Sequence, residues 1–299
     1  HIFTAGGVEC TEATACLSYI LKLDLMPSLA SYVNPMNERQ AAHLLRRCSF
    51  GPTRGEIVQY TGLTPTEALD LLLTETTPPE PPIDPVLNET WIGRPDGEEE
   101  ERSGEDTRKD IVLKWWLNLM MPETPNIRER MTFFYHTHYT TILSRVRQSR
   151  SLYYQLALFR HHALGNLKAL SRLMCLDNAM LVHLDGFDNR KDSPNENFGR
   201  EFLELYTVGK GPQIGPDDYT TFTEDYVREA ARVLSGYQTV HSFDYIDEET
   251  GIPTGRIRTS GEMARQHDAG IKTFSSAFGN QQIAHVAVVI VLTTEEEAL

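Results

Sequence analysis

The chain reads as a mainly α protein, a multi-helix globular domain with room for one small β-hairpin near residues 243–258. Three observations predict this. Apolar residues recur at helical spacing through most of the chain, capping signals open several of the runs, and no series of alternating strands appears. Hydrophobic residues make up 40% of the 299, enough for a core and too many for a disordered chain.

Residues 1–34 read as an N-terminal peripheral segment, and 35–299 as the helical domain. The first helix of that domain runs from Asn37 to Arg47, with Ala41, Leu44, Leu45 and Cys48 on one face. Phe50-Gly51-Pro52 stops it. Thr64-Pro65-Thr66-Glu67 combines a capping pattern with an opening proline, and Leu69, Leu72 and Leu73 follow as the apolar face. Residues 76–104 are rich in proline and then in acid, ending near Glu98–Glu101, and read as a surface loop. Helices then span Asp106–Met121, Asn126–Tyr139, Arg150–Met174, Asn178–Leu184, Asn195–Val208 and Thr223–Ser235. Beyond Gly236 the periodicity weakens, and Phe243-Asp244-Tyr245 with Arg256-Ile257-Arg258 supply the candidate hairpin. Ile283–Leu292 is apolar but too short to cross a bilayer, so no transmembrane segment is expected.

Forty-two acidic residues against 28 basic ones give a net charge of -14. Neutralising phosphates takes a basic face, so no nucleic-acid partner is expected. The balance suits a solvated protein of the cell exterior: extracellular, cell surface or periplasmic. Cys10 and Cys16 are spaced for a short disulfide loop in an exported chain, whereas Cys48 and Cys175 lie in apolar helical patterns as small core residues.

Four segments carry residues whose placement needs explaining. In Phe134-Tyr135-His136-Thr137-His138-Tyr139, two histidines two apart suggest ligands for a divalent metal. On a continuous helix they diverge by roughly 200°, so that Glu129, Phe133 and His136 share a face and His138 does not. Arg160 falls inside the apolar arc of Leu152, Leu156, Phe159 and Ala163, and must therefore be paired with a carboxylate, for which Glu201 is a candidate. His161 and His162 fall outside that arc and are expected at the surface. In the helix after Asn195, Glu201 sits at the edge of the apolar face and Glu204 one step further out. Finally, His267-Asp268 before a glycine can orient an imidazole or bind a metal. His43 reads as a core histidine. The pairs Trp115-Trp116 and Tyr153-Tyr154 supply stacking platforms for a carbohydrate- or surface-binding module, with Trp115 expected in the core and Trp116 partly exposed. A Gly-x-Ser-x-Gly elbow, a phosphate loop, a dinucleotide-binding glycine turn and a His-Glu-x-x-His helix are all missing, which removes the enzyme classes those motifs announce.

Taken in order, several segments resemble one family, the domain of unknown function 1800 family. They are Ala42–Pro52, Arg128-Glu129-Arg130-Met131, His136-Thr137-His138, Arg160–Asn166, Pro194–Glu204, Thr223-Glu224-Asp225, Ala230-Ala231-Arg232 and His267–Lys272. The loop Gly209–Pro212 is similar to the form found in Bacteroidota. The resemblance implies a largely helical exported protein and no established reaction. Tyr135 and Tyr237 stand where the family usually has Trp, and Gly199 where it has Ala. Family members usually continue past the His-Asp-x-Gly segment, so the chain is expected to be a fragment.

The sequence thus suggests an exported or cell-surface protein whose polar Arg/Glu/His network acts mainly in structure or assembly, with a protein partner in a surface or secreted assembly. The alternative is a metal-dependent or acid-base extracellular enzyme. In that reading Glu201, His267 and Asp268 are catalytic, Arg160 binds, and His136, His138 and Glu204 hold the metal.

Overall fold

The computed structural model describes residues 31–94, 104–122, 124–216, 218–260, 263–275 and 278–284. Cys10 and Cys16, the acidic run Glu98–Glu101 and the segment after residue 284 lie outside the described residues.

Helices dominate, and the expected fold class holds. Three short helices come first: α1 (Glu38–Cys48), α2 (Arg54–Tyr60) and α3 (Pro65–Leu72). Each opens with a reciprocal capping box, from Asn37 with Gln40, Thr53 with Glu56, and Thr64 with Glu67. Two backbone groups that the first turn would leave orphaned are thereby satisfied. Ala41, Leu45, Tyr60, Ala68 and Leu72 close a small core of their own. Leu69 and Leu73 are exposed and Ala68 takes their place, because the short α3 offers only one turn's width to its neighbours. His43 points to solvent rather than to the core.

The central layer is α4 (Glu105–Leu119), α5 (Arg128–His138), α6 (Ser149–His161), α7 (Leu167–Met174) and α8 (Asn178–His183). The helix expected over Arg150–Met174 is two helices. Its first part ends at His161, and Asn166 restarts the second by accepting from the amides of Lys168 and Ala169. Asn competes well for such N-cap positions, and the break is placed there. Trp116, Tyr139, Leu156, Phe159, Leu170 and Met174 fill the main core, and Cys175 is buried within it while Cys48 is buried in the first.

The described part of the proline-rich stretch has one isolated β-bridge, Asp84 with Glu89, and it is anchored rather than free. Trp91 is buried and donates to Ser149 Oγ at 2.9 Å.

Then come α9 (Glu196–Glu201), continued by a wider π-type turn over Phe202–Tyr206, and α10 (Glu224–Val233). A Cβ on Gly199 would lie 2.9 Å from both Ala231 N and Val227 O. Gly199 therefore sits where two helix backbones touch. Paired two-stranded segments complete the chain: β1 (Gln213–Gly215) with β2 (Asp218–Tyr219), β3 (Tyr237–Gln238) with β4 (Arg256–Ile257), β5 (Thr259–Ser260) with β6 (Met263–Ala264), and β7 (Lys272–Thr273) with β8 (Gln282–Ile283). All are antiparallel. A hairpin does form inside 243–258, narrower than expected: Ile246 bridges Pro253 across its turn. Arg256-Ile257 pairs with Tyr237-Gln238 instead of with Phe243-Asp244-Tyr245, where a positive φ of 57° at Phe243 interrupts any strand. No helix among the described residues is long and apolar enough to cross a membrane.

Candidate functional site

The residue that organises the site is Arg160, and its carboxylate is Glu129 rather than Glu201. Arg160 Nε donates to Glu129 Oε1 at 2.5 Å, and a second guanidinium nitrogen donates to Thr76 Oγ1 at 3.1 Å. Both partners are largely buried, with 16% and 9% of their side chains exposed. Glu129 precedes His136 by two helical turns, so α5 presents both on one face together with Phe133. That face meets α4 at Trp116, whose ring lies 5.0 Å from the His136 ring, edge to face.

Not every valence in this network is used. Glu129 Oε2, the Trp116 indole N–H and His136 Nδ1 are buried without hydrogen-bond partners. The Trp116 indole N–H faces the Glu129 carboxyl and helps to hold its pKa down. Burial dominates and pushes the Glu129 carboxyl above its ordinary value, against the opposing pull of Arg160. Burial likewise lowers the His136 imidazole, which is neutral at pH 7. Beside it, Arg128 donates to the Arg160 carbonyl at 3.2 Å and to Glu75 at 2.9 Å. A guanidinium there complements the negative end of α6.

Over this floor opens a cleft of about 590 Å³. Its wall is aromatic: Trp115, Tyr153 and Tyr154, with ring centroids 5.2 and 5.3 Å apart in succession. Pro78 and Pro79 face it from the proline-rich stretch, held by a 2.8 Å bond from the Trp115 indole to the Glu80 carbonyl. Arg128, Arg160, His161 and Glu75 supply polar groups, and the turn at 250–252 forms the far rim. The expected roles of the two tryptophans are exchanged. Trp116 is core and Trp115 lines the cleft, because neighbours on a helix point about 100° apart and α4 packs by its Trp116 side. His162, expected at the surface, is buried: the helix ends at His161 and the chain turns inward.

The other sequence-nominated residues lie in separate places. His138 faces away from His136 and bonds the Tyr206 carbonyl at 3.1 Å. Glu204 accepts from Lys210 at 3.1 Å. Glu201 is half-buried at the end of α9. His267 and Asp268 belong to a knot around α10. Arg232 donates to both Asp268 oxygens, at 2.8 and 3.2 Å, and to Glu229. His267 Nδ1 donates to the Ser235 carbonyl at 2.8 Å, which leaves Nε2 to accept from Lys272 at 3.3 Å. Lys272 is fully buried and also donates to the Asp268 carbonyl. Among the described residues, no three His, Cys, Asp or Glu side chains gather as metal ligands would.

Sequence reasoning passed over three buried acids, Asp84, Glu129 and Asp177. Glu129 was noticed only as a neighbour of His136. Asp177 is buried at the start of α8, where it accepts from the Met180 amide and from Gln155, both at 2.7 Å, and burial raises its pKa to about 7. The Asp-Asn-Ala start of that short helix carries an N-cap signal, but nothing in it announces complete burial.

One family model, described as a protein of unknown function (DUF1800), matches residues 43–297. The chain belongs to that family. No curated protein and no solved structure matches it. The matched span contains the whole of the Glu129–Arg160 network and the knot at Arg232, so both are built from residues of the DUF1800 domain. The family description names no reaction, and the chemistry must be read from the cleft itself.

Proposed function

We propose that this DUF1800 chain is an exported or cell-surface protein that binds a saccharide-like ligand in the cleft of Trp115, Tyr153 and Tyr154. In this reading the Arg160–Glu129–His136 network beneath acts in structure, holding the floor of the cleft. One observation carries the proposal: three aromatic rings and four polar side chains, from separate helices and a loop, converge on one open cavity of about 590 Å³. Sugar rings present apolar C–H faces and a rim of hydroxyls. Aromatic faces cover the former, and Arg, His and Glu read the latter. The acidic balance of the chain supports an exterior location and disfavours a polyphosphate ligand.

The enzymatic alternative rests on His136 with His138, Glu201 with Glu204, and His267 with Asp268. Those pairs occupy three places, and His138, Glu204, His267 and Asp268 are each bonded to their own surroundings. Cooperation in one reaction asks for reacting groups within hydrogen-bond reach, so the geometry favours binding.

Fluorescence tests the proposal directly. Of the three tryptophans, Trp91 and Trp116 are buried, so a ligand in the cleft reports through Trp115. Titration with neutral hexasaccharides is expected to shift the emission. Trp115→Ala removes the reporting indole, so its affinity is read by calorimetry, and it is expected to bind about tenfold or more weakly, the scale of one lost stacking contact with its buried area. Equal affinity in the variant, or no response to any saccharide, overturns the reading.

A further inference from the structure

A second cavity lies on the other side of α6, apart from the aromatic cleft. It encloses about 520 Å³ between the loop after α5, the end of α8 and the turn after β3. Two guanidinium groups face it, Arg145 and Arg147, together with Ser144, Ser151 and His241. The Asp185 carboxylate lines the cavity as well, beside Arg145.

These donors differ in how they are held. Arg145 is fixed by two bonds, to the His183 carbonyl at 2.7 Å and to Asp185 at 3.1 Å. It brings shape and a fork of N–H groups, with its charge largely matched by Asp185. His241 is oriented by Gln148 at 3.1 Å and Thr239 at 3.4 Å. Arg147 is exposed and, among the described residues, makes no hydrogen bond or ion pair, so its positive charge is unmatched. Ser151 is a largely buried residue that lines the cavity. Val146, Val182 and Phe187 supply the apolar part of the lining.

We propose that this cavity is a binding site for an oxyanion ester, an organic phosphate or sulfate. Its charged head would be taken by Arg147, Arg145 and Ser151, and its organic part by the wall of Val182 and Phe187. A guanidinium presents paired N–H groups that match two oxygens of a tetrahedral anion, and such bonds are about twice as strong as neutral ones. The apolar wall explains why an ester suits the cavity better than the bare ion. This site shares no lining residue with the saccharide cleft and stands independently of that reading.

Calorimetric titration of the full chain with phenyl phosphate, phenyl sulfate and inorganic phosphate tests it. The esters are expected to bind more tightly than the inorganic ion, with affinity falling as salt is raised. Arg147→Ala is expected to weaken ester binding by about tenfold and Arg147→Lys by less, since a lysine keeps the charge and loses the fork. Arg147 is exposed, so both variants should melt with the parent chain when no ester is present. Saturable heat from an ester that is lost in Arg147→Ala supports the site. Ester binding unchanged in Arg147→Ala, or no saturable heat at millimolar ester, overturns it. Phenyl sulfate binding without phenyl phosphate binding assigns the sulfate source, and the reverse assigns the phosphate.

Discussion

Two parts of this molecule bury charged side chains, and they do so in opposite ways. At α10, Arg232, Asp268, His267 and Lys272 form a closed knot. Lys272 has no exposed surface, and its ammonium is met by a carbonyl and an imidazole. Under the aromatic cleft, Glu129, Arg160, Trp116 and His136 form an open network, in which one carboxylate oxygen, one indole N–H and one imidazole nitrogen lack partners. An unmet polar atom in a low-dielectric interior costs roughly 1–3 kcal/mol. The Trp116 indole and the Glu129 carboxyl face each other, so His136 Nδ1 is the atom of the three left without a nearby counterpart. The His-Asp motif, which looked the more chemical of the two in sequence, is the one whose bonds are used up in holding the chain together.

The comparison breaks most readily at Gly236. Its φ is +81°, and an added Cβ would fall 2.4 Å from the His267 amide nitrogen, between α10 and the knot. Gly236→Ala combines an unfavourable backbone with a backbone clash, and is expected to cost more than about 3 kcal/mol or to abolish folding. Urea denaturation measures it, and a loss under about 1 kcal/mol would mean that the knot is not closed.

Glu129 sharpens the contrast. Glu129→Ala strands the mostly buried Arg160 and is expected to cost about 3 kcal/mol. Glu129→Gln, which keeps an acceptor, should cost less. The pH dependence distinguishes the charge from the packing. Burial raises the Glu129 pKa in the folded state, so between the ordinary glutamate value and that raised value the folded chain binds more protons than the unfolded one. Stability from this group therefore falls as pH rises through that window. In Glu129→Gln this fall should vanish, and identical pH profiles for the two proteins would remove the carboxyl from the account.

The smallest effect is expected at Glu201. It is half-buried, with no hydrogen bond or ion pair among the described residues, and Glu201→Ala should change stability by no more than about 0.5 kcal/mol. Saccharide titration of the same variant should match the parent chain. A large loss of binding or of any activity would return Glu201 to the centre of the site.

Much of the fold could be read from local signals. Thr64-Pro65-Thr66-Glu67 specified its own helix start through side-chain bonds three residues apart. The two histidines of α5 could be assigned to different faces from the helical period alone. What failed was partner choice. Arg160 demanded a carboxylate, and spacing could not say that Glu129, 31 residues earlier, would meet it in place of Glu201. The exchange of Trp115 and Trp116 has the same origin: two adjacent aromatic residues carry equal hydrophobic weight, and only the packing partner decides which is buried.

The sequence by itself determined the helical class, the capped start at Thr64, the family and the need to pair Arg160, because these follow from short-range periodicity, capping and the cost of burying a charge. Tertiary structure alone decided which acid meets Arg160, which of Trp115 and Trp116 is buried, and that the His267-Asp268 pair is locked while the Glu129 network stays more open. Those outcomes depend on side chains brought together from distant parts of the chain, and the energy of such a contact is written in neither residue separately.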